Sequence, residues 1–504
     1  MKVSSGNRHI AIFIIILLLC ASTLFAETDG ALILEQANSN ENIYSAATGE
    51  FVSYLRGDVV FRYEDIRISS DEATWRRNDG IIDFSGNVKV EQKGQVMTSN
   101  RLHFVRDENV LTATGNVLYR DSAGITFIRG ETAEYMTDKR EALLRGNPLL
   151  TRIDSTETDT LFISGRIMLY NDSLKTATVT DSVNIRRGDL FATCENGKYF
   201  SDINTVLLRI NPVIYYESHK VVGDSIDLTF NDEALESAII MGNAHGHYTE
   251  IADESADTTT THIWSDTLRL HMYENGKINS MKAFGCARGS YSEITALSGN
   301  TRVTNISSDS LFMFMFETGK ISGMKAFGSA RGNYSETAAS SGNTMSTNIS
   351  SDSMHMFMFE TGKINSIKAF GSAHGRNAEF RASSPSNDST ITHIWSDSLH
   401  VLMSDAGRIS VMRAFENVLS KNFSSDDSTR VNEVSGKIMT LAFGEDGKIE
   451  EAVVRGNAKS IYFIDESDGG GCNKANGDEI IVTFTDGKAQ RLRIRGKVRG
   501  IYFP

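Results

Sequence analysis

The sequence has few of the residues that indicate a disulfide-linked, helical or nucleic-acid-binding protein. Its 504 residues include only 4 cysteines and 4 prolines, and the cysteines lie too far apart for a disulfide framework or a metal motif. The formal net charge of −13 argues against nucleic acid as a ligand, because that binding depends on neutralising phosphates. Beyond the N-terminus, no stretch keeps a 3.6-residue periodicity or has the roughly 20 apolar residues of a membrane-spanning helix. We therefore expect an almost entirely β protein.

Motifs of catalysis are also missing. The sequence has no Gly-Xaa-Ser-Xaa-Gly elbow, no phosphate loop and no nucleotide fingerprint. His245 and His247 form a close histidine pair, but no Cys, Asp or Glu accompanies them at ligand spacing. The sequence predicts a protein that is not an enzyme and that holds neither a cofactor nor a metal.

The N-terminus has the parts of a secretory signal peptide. Lys2 and Arg8 supply positive charge, residues 10–20 are apolar, and Ala26 is a small residue at the end of the region. This pattern predicts export with cleavage after Ala26. An uncleaved anchor and lipidation of Cys20 are the alternatives that the sequence leaves open.

Internal repetition dominates the rest of the chain. Residues 282–291, 325–334 and 368–375 match almost letter for letter, at a step of 43 residues. A looser Gly-Asn-Val-like step recurs from about residue 45 to the end, which predicts about thirteen units. The expected division is a signal peptide (1–26), an N-terminal linker (27–44), units of about 30 residues (45–230) and units of about 40 residues (231–504).

Each unit contains two segments in which apolar and polar residues alternate, as in strands with two different faces. Hairpin signals such as Glu317-Thr-Gly-Lys320 separate the segments. Gly occupies the middle of many segments, and Pro148 and Pro212 follow two residues after that position, so we expect each strand to bend there. The predicted fold is all-β: an elongated, open β-jellyroll, or V-shaped solenoid-like stack of antiparallel strands, with about thirteen two-strand repeats.

These features resemble the OstA-like, or lipopolysaccharide-transport protein A (LptA), family, and the chain is similar to a long multi-repeat member. The resemblance rests on the signal peptide, the tandem alternating strands and the Gly-Asn-Val step at residues 84–90 and 113–117, and it extends over about residues 45 to 504. It implies a jellyroll whose interior receives the lipid A acyl chains of lipopolysaccharide. It also implies partners of the same fold in the inner-membrane and outer-membrane transport machinery.

One parity of the strands supplies candidates for an apolar groove. Methionine is frequent among them, and its flexible thioether suits disordered acyl chains. A closed hydrophobic core is the alternative, and the opposite parity, which includes Phe312 and Phe357, is apolar as well. The lipid-binding candidates are Val88, Val90, Val117, Tyr119, Leu268, Leu270, Met272, Leu311, Met313, Met315, Met354, Met356, Met358, Leu399, Val401 and Met403.

Two charged rows follow the same period. A basic row (Lys282, Lys325, Lys368, Arg413, with His245, Arg288, Arg331 and His374) suggests either phosphate contacts at a groove rim or a solvated strand face. An acidic row (Asp266, Asp309, Asp352, Asp397) suggests cation sites or, preferably, capping of a turn or bulge.

The sequence therefore predicts a periplasmic protein, associated with the outer membrane, that carries lipopolysaccharide from the inner to the outer membrane along an apolar groove. Its partners would be lipopolysaccharide and transport proteins with the same jellyroll fold, and not nucleic acid. The alternative is an exported structural or adhesive β-solenoid with a sealed core. An enzymatic β-helix is a more distant one.

Overall fold

The computed structural model describes residues 31–46, 49–153, 160–231, 234–251, 256–380, 390–405, 407–424, 427–445, 447–463, 470–485 and 488–504. The predicted signal peptide, with Ala26 and Cys20, lies outside them. The described residues form thirty-two strands and one 3-10 turn at Arg106–Glu108, so the chain is almost entirely β, as predicted. Within this part of the chain, no helix has the length and hydropathy to cross a membrane.

The strands are numbered β1 to β32 in chain order and belong to two compact units. The first unit contains the described residues up to Arg152, together with Arg166–Leu174. Its strands pair antiparallel from β3 to β8, with β1 and β2 on β3, β9 and β10 on β8, and β12 on β9. They are β1 Leu32–Gln36, β2 Ser39–Ser45, β3 Glu50–Tyr63, β4 Ile66–Arg76, β5 Ile81–Gln92, β6 Gln95–Val105, β7 Val110–Arg120, β8 Thr126–Met136, β9 Glu141–Arg145, β10 Leu149–Arg152 and β12 Ile167–Asn171.

The second unit contains Ile153–Gly165 and Lys175–Pro504. From β19 to β30 each strand pairs antiparallel with the next along the chain. Its strands are β11 Leu161–Ser164, β13 Thr176–Arg187, β14 Leu190–Phe200, β15 Thr205–Arg209, β16 Val213–Tyr216, β17 His219–Val222, β18 Ser225–Phe230, β19 Leu235–Ile251, β20 Thr258–Met272, β21 Ile278–Ile294, β22 Thr301–Met315, β23 Ile321–Thr337, β24 Thr344–Met358, β25 Ile364–Phe380, β26 Thr390–Met403, β27 Ile409–Ser424, β28 Asp427–Phe443, β29 Ile449–Phe463, β30 Cys472–Thr485, β31 Lys488–Arg495 and β32 Arg499–Phe503.

The strand count agrees with the predicted repeat number. Among the described strands, twenty are continuous, and twelve form six consecutive pairs of halves, such as β15 with β16. When each pair of halves is counted as one strand, there are twenty-six strands, or thirteen two-strand units. Continuous strands before β19 have 11–14 residues, and those from β19 to β30 have 14–17. The division into short and long units at residue 230 stays a prediction.

A bend in every second strand lies at two residues with positive φ, as the glycines indicated. In β5 these are Gly86 (φ 76°) and Asn87 (φ 46°), and the register with β6 shifts between Ser85 and Val88. Because the bend spans two residues, side chains of one parity on both sides of it face the interior: Phe84 and Val88 are both buried. The same feature precedes Pro148 and Pro212, where the strands break into halves.

The strand opposite each bend carries a polar corner. At the first such corner, Asn87 Nδ2 donates to Asp71 Oδ2 at 2.9 Å, and Ser70 Oγ donates to the Glu72 carbonyl at 2.8 Å. The acidic row predicted from the sequence occupies this place in the later units. A Cβ added at Gly285, Gly328 or Gly371 would overlap the carboxylates of Asp266, Asp309 and Asp352 respectively. The arrangement supports corner capping by the acidic row.

The region expected to be a linker is structured from residue 32. The strands β1 and β2 pair with the two halves of β3, and the Asn38 backbone N–H donates to the Gly57 carbonyl between them at 2.9 Å. The expectation of a linker to residue 44 was therefore wrong for residues 32–44. The physical reason is that the backbone groups on this edge of β3 form their hydrogen bonds with β1 and β2.

Aromatic rings fill much of the interior of the first unit. Phe61 packs edge-to-face against Phe84, with centroids 5.5 Å apart, and against Trp75 at 5.4 Å. Phe104 is also completely buried. A cavity of about 40 Å³ remains beside Val90, Val117 and Tyr119, which is little more than the space of one water molecule.

Candidate functional site

A cavity of about 700 Å³ lies in the second unit, between two sets of strand segments. The bend divides each strand from β19 to β30 in two. We call arm A the segments that carry Leu268 and Met313, and arm B the segments that carry Thr261 and Tyr291. The volume falls within the roughly 300–1,000 Å³ of typical small-molecule sites.

The two arms give the cavity different walls. Arm A contributes apolar side chains, among them Leu270, Met313 and Met315. Arm B contributes a mixed surface that includes Thr259, Thr261 and Ile263. Because thioethers are flexible and adapt to the shape of a ligand, the arm A wall can accommodate hydrocarbon chains that differ in position.

Charged residues surround the opening of the cavity. Lys320 and Lys363 lie in the hairpin turns that end arm A, and Asp257 and Glu293 lie on arm B. Lys363 Nζ also donates to the Asp405 carbonyl of a later turn at 3.2 Å. An apolar wall beneath a charged opening suits an amphipathic ligand with an anionic head group.

A half-buried charged cluster lies at the end of arm B beside this opening. Arg302 lies 3.5 Å from Glu293 and 3.4 Å from Glu336 on the neighbouring strands. Burial alone would lower the pKa of Arg302, but Glu336, Tyr334 and Glu293 raise it above its usual range. The guanidinium therefore stays charged and offsets the negative charge of Glu293 and Glu336.

Tyrosine hydroxyls of β16 and of arm B reach across to the turns of arm A. Tyr216 donates to the Gly276 carbonyl at 2.6 Å, and Tyr334 donates to the Gly407 carbonyl at 3.1 Å. Each bond joins a tyrosine on one side of the interior to a hairpin turn that ends arm A on the other side. These contacts close the interior laterally and set the distance between the arms.

All the predicted groove residues lie on interior-facing positions, but they do not share one cavity. Val88, Leu311 and Leu399 are buried beside a bend, and Met272 is half-buried at a strand end. Leu268, Leu270, Met313, Met315 and Met358 line the 700 Å³ cavity; Met354, Met356, Val401 and Met403 line one of about 20 Å³; and Val90, Val117 and Tyr119 line the 40 Å³ cavity of the first unit. That these residues bind lipid stays a prediction.

The basic row does not lie at the rim of the interior. Lys325 stands over the ring of Phe314, and Lys368 over that of Phe357, each at 5.5 Å on the outer face. For Lys325 and Lys368 this position favours the alternative of a solvated strand face over phosphate contacts at a groove rim. The cations at the cavity opening are instead Lys320 and Lys363, whose signal was the Gly-Lys pair repeated at each hairpin.

His219 is a half-buried titratable group at the cavity wall. Its ring stacks on Tyr248 with centroids 4.4 Å apart and an interplanar angle of 17°. Burial lowers the pKa of His219 from 6.5 to about 4. Between those values the unfolded chain binds a proton that the folded chain does not, so the free energy of unfolding falls as the pH falls from 6.5 to 4.

We expect His219→Phe, which keeps a ring against Tyr248, to reduce this acid sensitivity. The histidine should cost the wild-type chain about 2 kcal/mol at pH 5 relative to pH 7.5, beyond what the other histidines contribute. Urea unfolding at both pH values measures the difference between the two proteins. An identical loss of stability in the variant and the wild type would contradict the assignment.

Comparison with known proteins bears on residues 67–233, which include His219 and Val221 of this cavity. Residues 67–233 match the protein family described as LptA/(LptD N-terminal domain) LPS transport protein. The chain carries an OstA-like domain of the lipopolysaccharide-transport family. The match to this OstA-like domain covers about a third of the 504 residues.

A solved structure is also similar to part of the chain. It is LptH, the LptA homologous periplasmic component of the conserved lipopolysaccharide transport device from Pseudomonas aeruginosa, with 14% sequence identity and a TM-score of 0.16. The similarity covers 29% of this chain and 82% of LptH, and at this TM-score no conclusion rests on it. None of the curated proteins matches the chain in sequence.

Proposed function

We propose that this OstA-like protein is a periplasmic, non-enzymatic bridge that carries lipopolysaccharide from the inner to the outer membrane. The observation that carries the proposal is the 700 Å³ cavity with the apolar arm A wall and the cationic turns at its opening. Each CH₂ group removed from water there contributes about 0.8 kcal/mol. Acyl chains would enter between the arms, and Lys320 and Lys363 would contact the phosphates of the head group.

Movement along the protein requires that successive sites resemble one another. The 43-residue repeat places Met313 and Met356 at equivalent positions, and both face the interior. The separate cavity that Met356 lines measures only about 20 Å³, so advance of a lipid would require that methionine side chains reorient and that the arms separate. The tyrosine bonds Tyr216–Gly276 and Tyr334–Gly407 are the contacts that would have to break.

Partners of the same fold would add strands to the final edge of the second unit. Among the described strands, β31 and β32 pair with β30 alone. Ile501 and Tyr502 there are more than half exposed, and β31 carries Arg491, Arg493 and Arg495. We propose that a jellyroll partner with an acidic edge docks here by strand addition.

The sealed-core alternative has one observation in its favour. In the first unit, the cavity beside the groove candidates Val90, Val117 and Tyr119 has a volume of only about 40 Å³. If that condition persisted in the presence of lipid, the first unit would act as a spacer, and transport along the whole length would fail. An interior of the second unit that also takes up no lipid would favour a structural solenoid.

Depletion of the protein in the cells that make it tests the function. We expect surface lipopolysaccharide to fall at least severalfold and to be restored by the wild-type gene. Thr259→Trp should not restore it, because the indole would fill the cavity that Thr259 lines. Thr260→Trp, one residue along and on the outer face, is the matched control and should restore it.

Two outcomes would count against the bridge. Normal surface lipopolysaccharide after depletion would contradict any essential role in its transport. Equal restoration by the Thr259 and Thr260 variants, with equal protein levels, would show that the cavity itself is not required.

A further inference from the structure

The outer face of arm B carries a second cavity, of about 430 Å³, separate from the interior site. Its floor consists of the exposed surfaces of β21 to β24. Cross-strand pairing aligns Arg288, Ser307, Arg331 and Ser350 along it, one from each strand. The proposed lipid path does not use this surface, because these side chains point away from the interior.

Stacked aromatic clusters lie at both ends of this second cavity, which we call the valley. At one end, Trp264 of β20 stacks on His245 with centroids 5.0 Å apart and an interplanar angle of 1°. At the other, His374 of β25 stacks on Trp395 at 4.9 Å and 8°. Trp264 and His374 line the cavity. Five strand spacings of about 4.8 Å separate β20 from β25, or roughly 24 Å.

The valley exists because two repeats lack the tryptophan of their neighbours. The four equivalent positions read Ile-Trp-Ser-Asp at 263–266 and 394–397, but Ile-Ser-Ser-Asp at 306–309 and 349–352. Ser307 and Ser350 therefore leave open the space that a tryptophan side chain fills in the repeat at each end. The repeat itself shows which substitution would close the valley.

Hydrogen-bonding groups and cations cover the floor. Asn333 Nδ2 donates to Asn348 Oδ1 at 2.6 Å, within a row that continues to Asn305. Arg288, Arg331 and Arg376 also line the valley, although the chain as a whole has a net charge of −13. The lining residues contain no Asp or Glu, so the local charge is positive.

We propose that this valley binds an acidic oligosaccharide. Guanidinium groups bind carboxylates and phosphates through paired hydrogen bonds, and the asparagine and serine side chains can bind hydroxyl groups. The rings at each end have an apolar face and a polar edge, which suits the apolar face of a sugar ring. An elongated, polar and aromatic-ended cavity fits a chain of sugars better than a compact anion.

Two sources could supply such a ligand. One is the phosphorylated sugar portion of lipopolysaccharide, which would remain outside the interior cavity while its acyl chains lie within. The other is a carboxylated glycan of the envelope, which would anchor the protein while it transports lipid. The common chemistry is a chain of sugars with anionic groups.

Calorimetric titration of the full mature chain with three probes tests the proposal. The probes are a deacylated, phosphorylated lipopolysaccharide core, an oligogalacturonate and an uncharged maltooligosaccharide. We expect one of the acidic probes to bind at least tenfold more tightly than the uncharged one. The probe that binds identifies the source, and failure of both acidic probes to bind, or equal binding of the uncharged one, would overturn the proposal.

The double variant Ser307→Trp, Ser350→Trp should weaken binding of the acidic probe at least tenfold, because it fills the valley with residues that the neighbouring repeats already hold. Arg331→Gln, which leaves the valley open, should weaken it by a similar factor. Unchanged affinity in both would contradict the site. Ser307, Ser350 and Arg331 do not line the interior cavity, so both variants should still bind acyl chains there. A failed glycan site is therefore distinguishable from a failed lipid bridge.

Discussion

Replacing Gly328 with valine is expected to raise the hydrogen-exchange rates of the β22 to β24 amides by about 30- to 1,000-fold. Gly328 has a φ of 79°, where a β-branched residue is strongly disfavoured. A Cβ there would also overlap the carboxylate of Asp309. Together these effects should cost about 2–4 kcal/mol. Because contacts in a repeat protein are mainly between neighbours, the loss should be confined to nearby strands.

Ser329→Cys is the matched control for this substitution. Ser329 follows Gly328 at the same bend with a φ of 47°, and Cys286 has the equivalent place and the same φ in another repeat. We expect exchange in the control to match that of the wild type. Equal protection in the valine variant would contradict the account of the bend as a glycine-dependent corner above an aspartate.

The repeats and the alternation were predictable because they are local properties of the sequence. The repeat of 43 residues and the two-residue alternation along a strand determine which side chains share a face. The candidates from Val88 to Met403 lie at the strand positions that face the interior. Glycine followed by asparagine indicated the bend, since both residues adopt positive φ at low cost.

The choice of inner face was not predictable from the pattern. Both Met313 and Phe314 are apolar, so hydrophobicity alone does not orient the strand. In the structure, Lys325 stands over the Phe314 ring at 5.5 Å, and edge-to-face contacts such as Phe312 with Phe327 at 5.5 Å cover the outer face. An aromatic ring can remain partly exposed to solvent when a cation packs on its face. The phenylalanines therefore occupy the outer face, and methionines such as Met313 are buried.

The size of the interior also had no signature in the sequence. It depends on how far the arms stand apart, which the bends and the contacts of Tyr216 and Tyr334 determine. Those contacts join residues 60 and 73 positions apart. The same repeat therefore leaves about 700 Å³ near Met313 and only about 20 Å³ near Met356.

Photo-crosslinking in living cells discriminates a lipid-filled interior from a sealed one. A photoreactive phenylalanine analogue would replace either Met313, which lines the large cavity, or its neighbour Phe314, which lies on the outer face under Lys325. The two positions share the same strand, protein level and surroundings, so they differ mainly in the side of the sheet that they sample. Each variant must first restore surface lipopolysaccharide in depleted cells, which shows that it is folded and functional.

Irradiation at position 313 is expected to give a covalent adduct that contains lipopolysaccharide, detected by antibody and by mass, at a yield at least tenfold above that at position 314. The reason is that acyl chains held between the arms can reach Met313 but not the outer ring. No lipid adduct at position 313 in cells that actively export lipopolysaccharide, or equal yields at the two positions, would contradict the claim that lipid travels inside this protein.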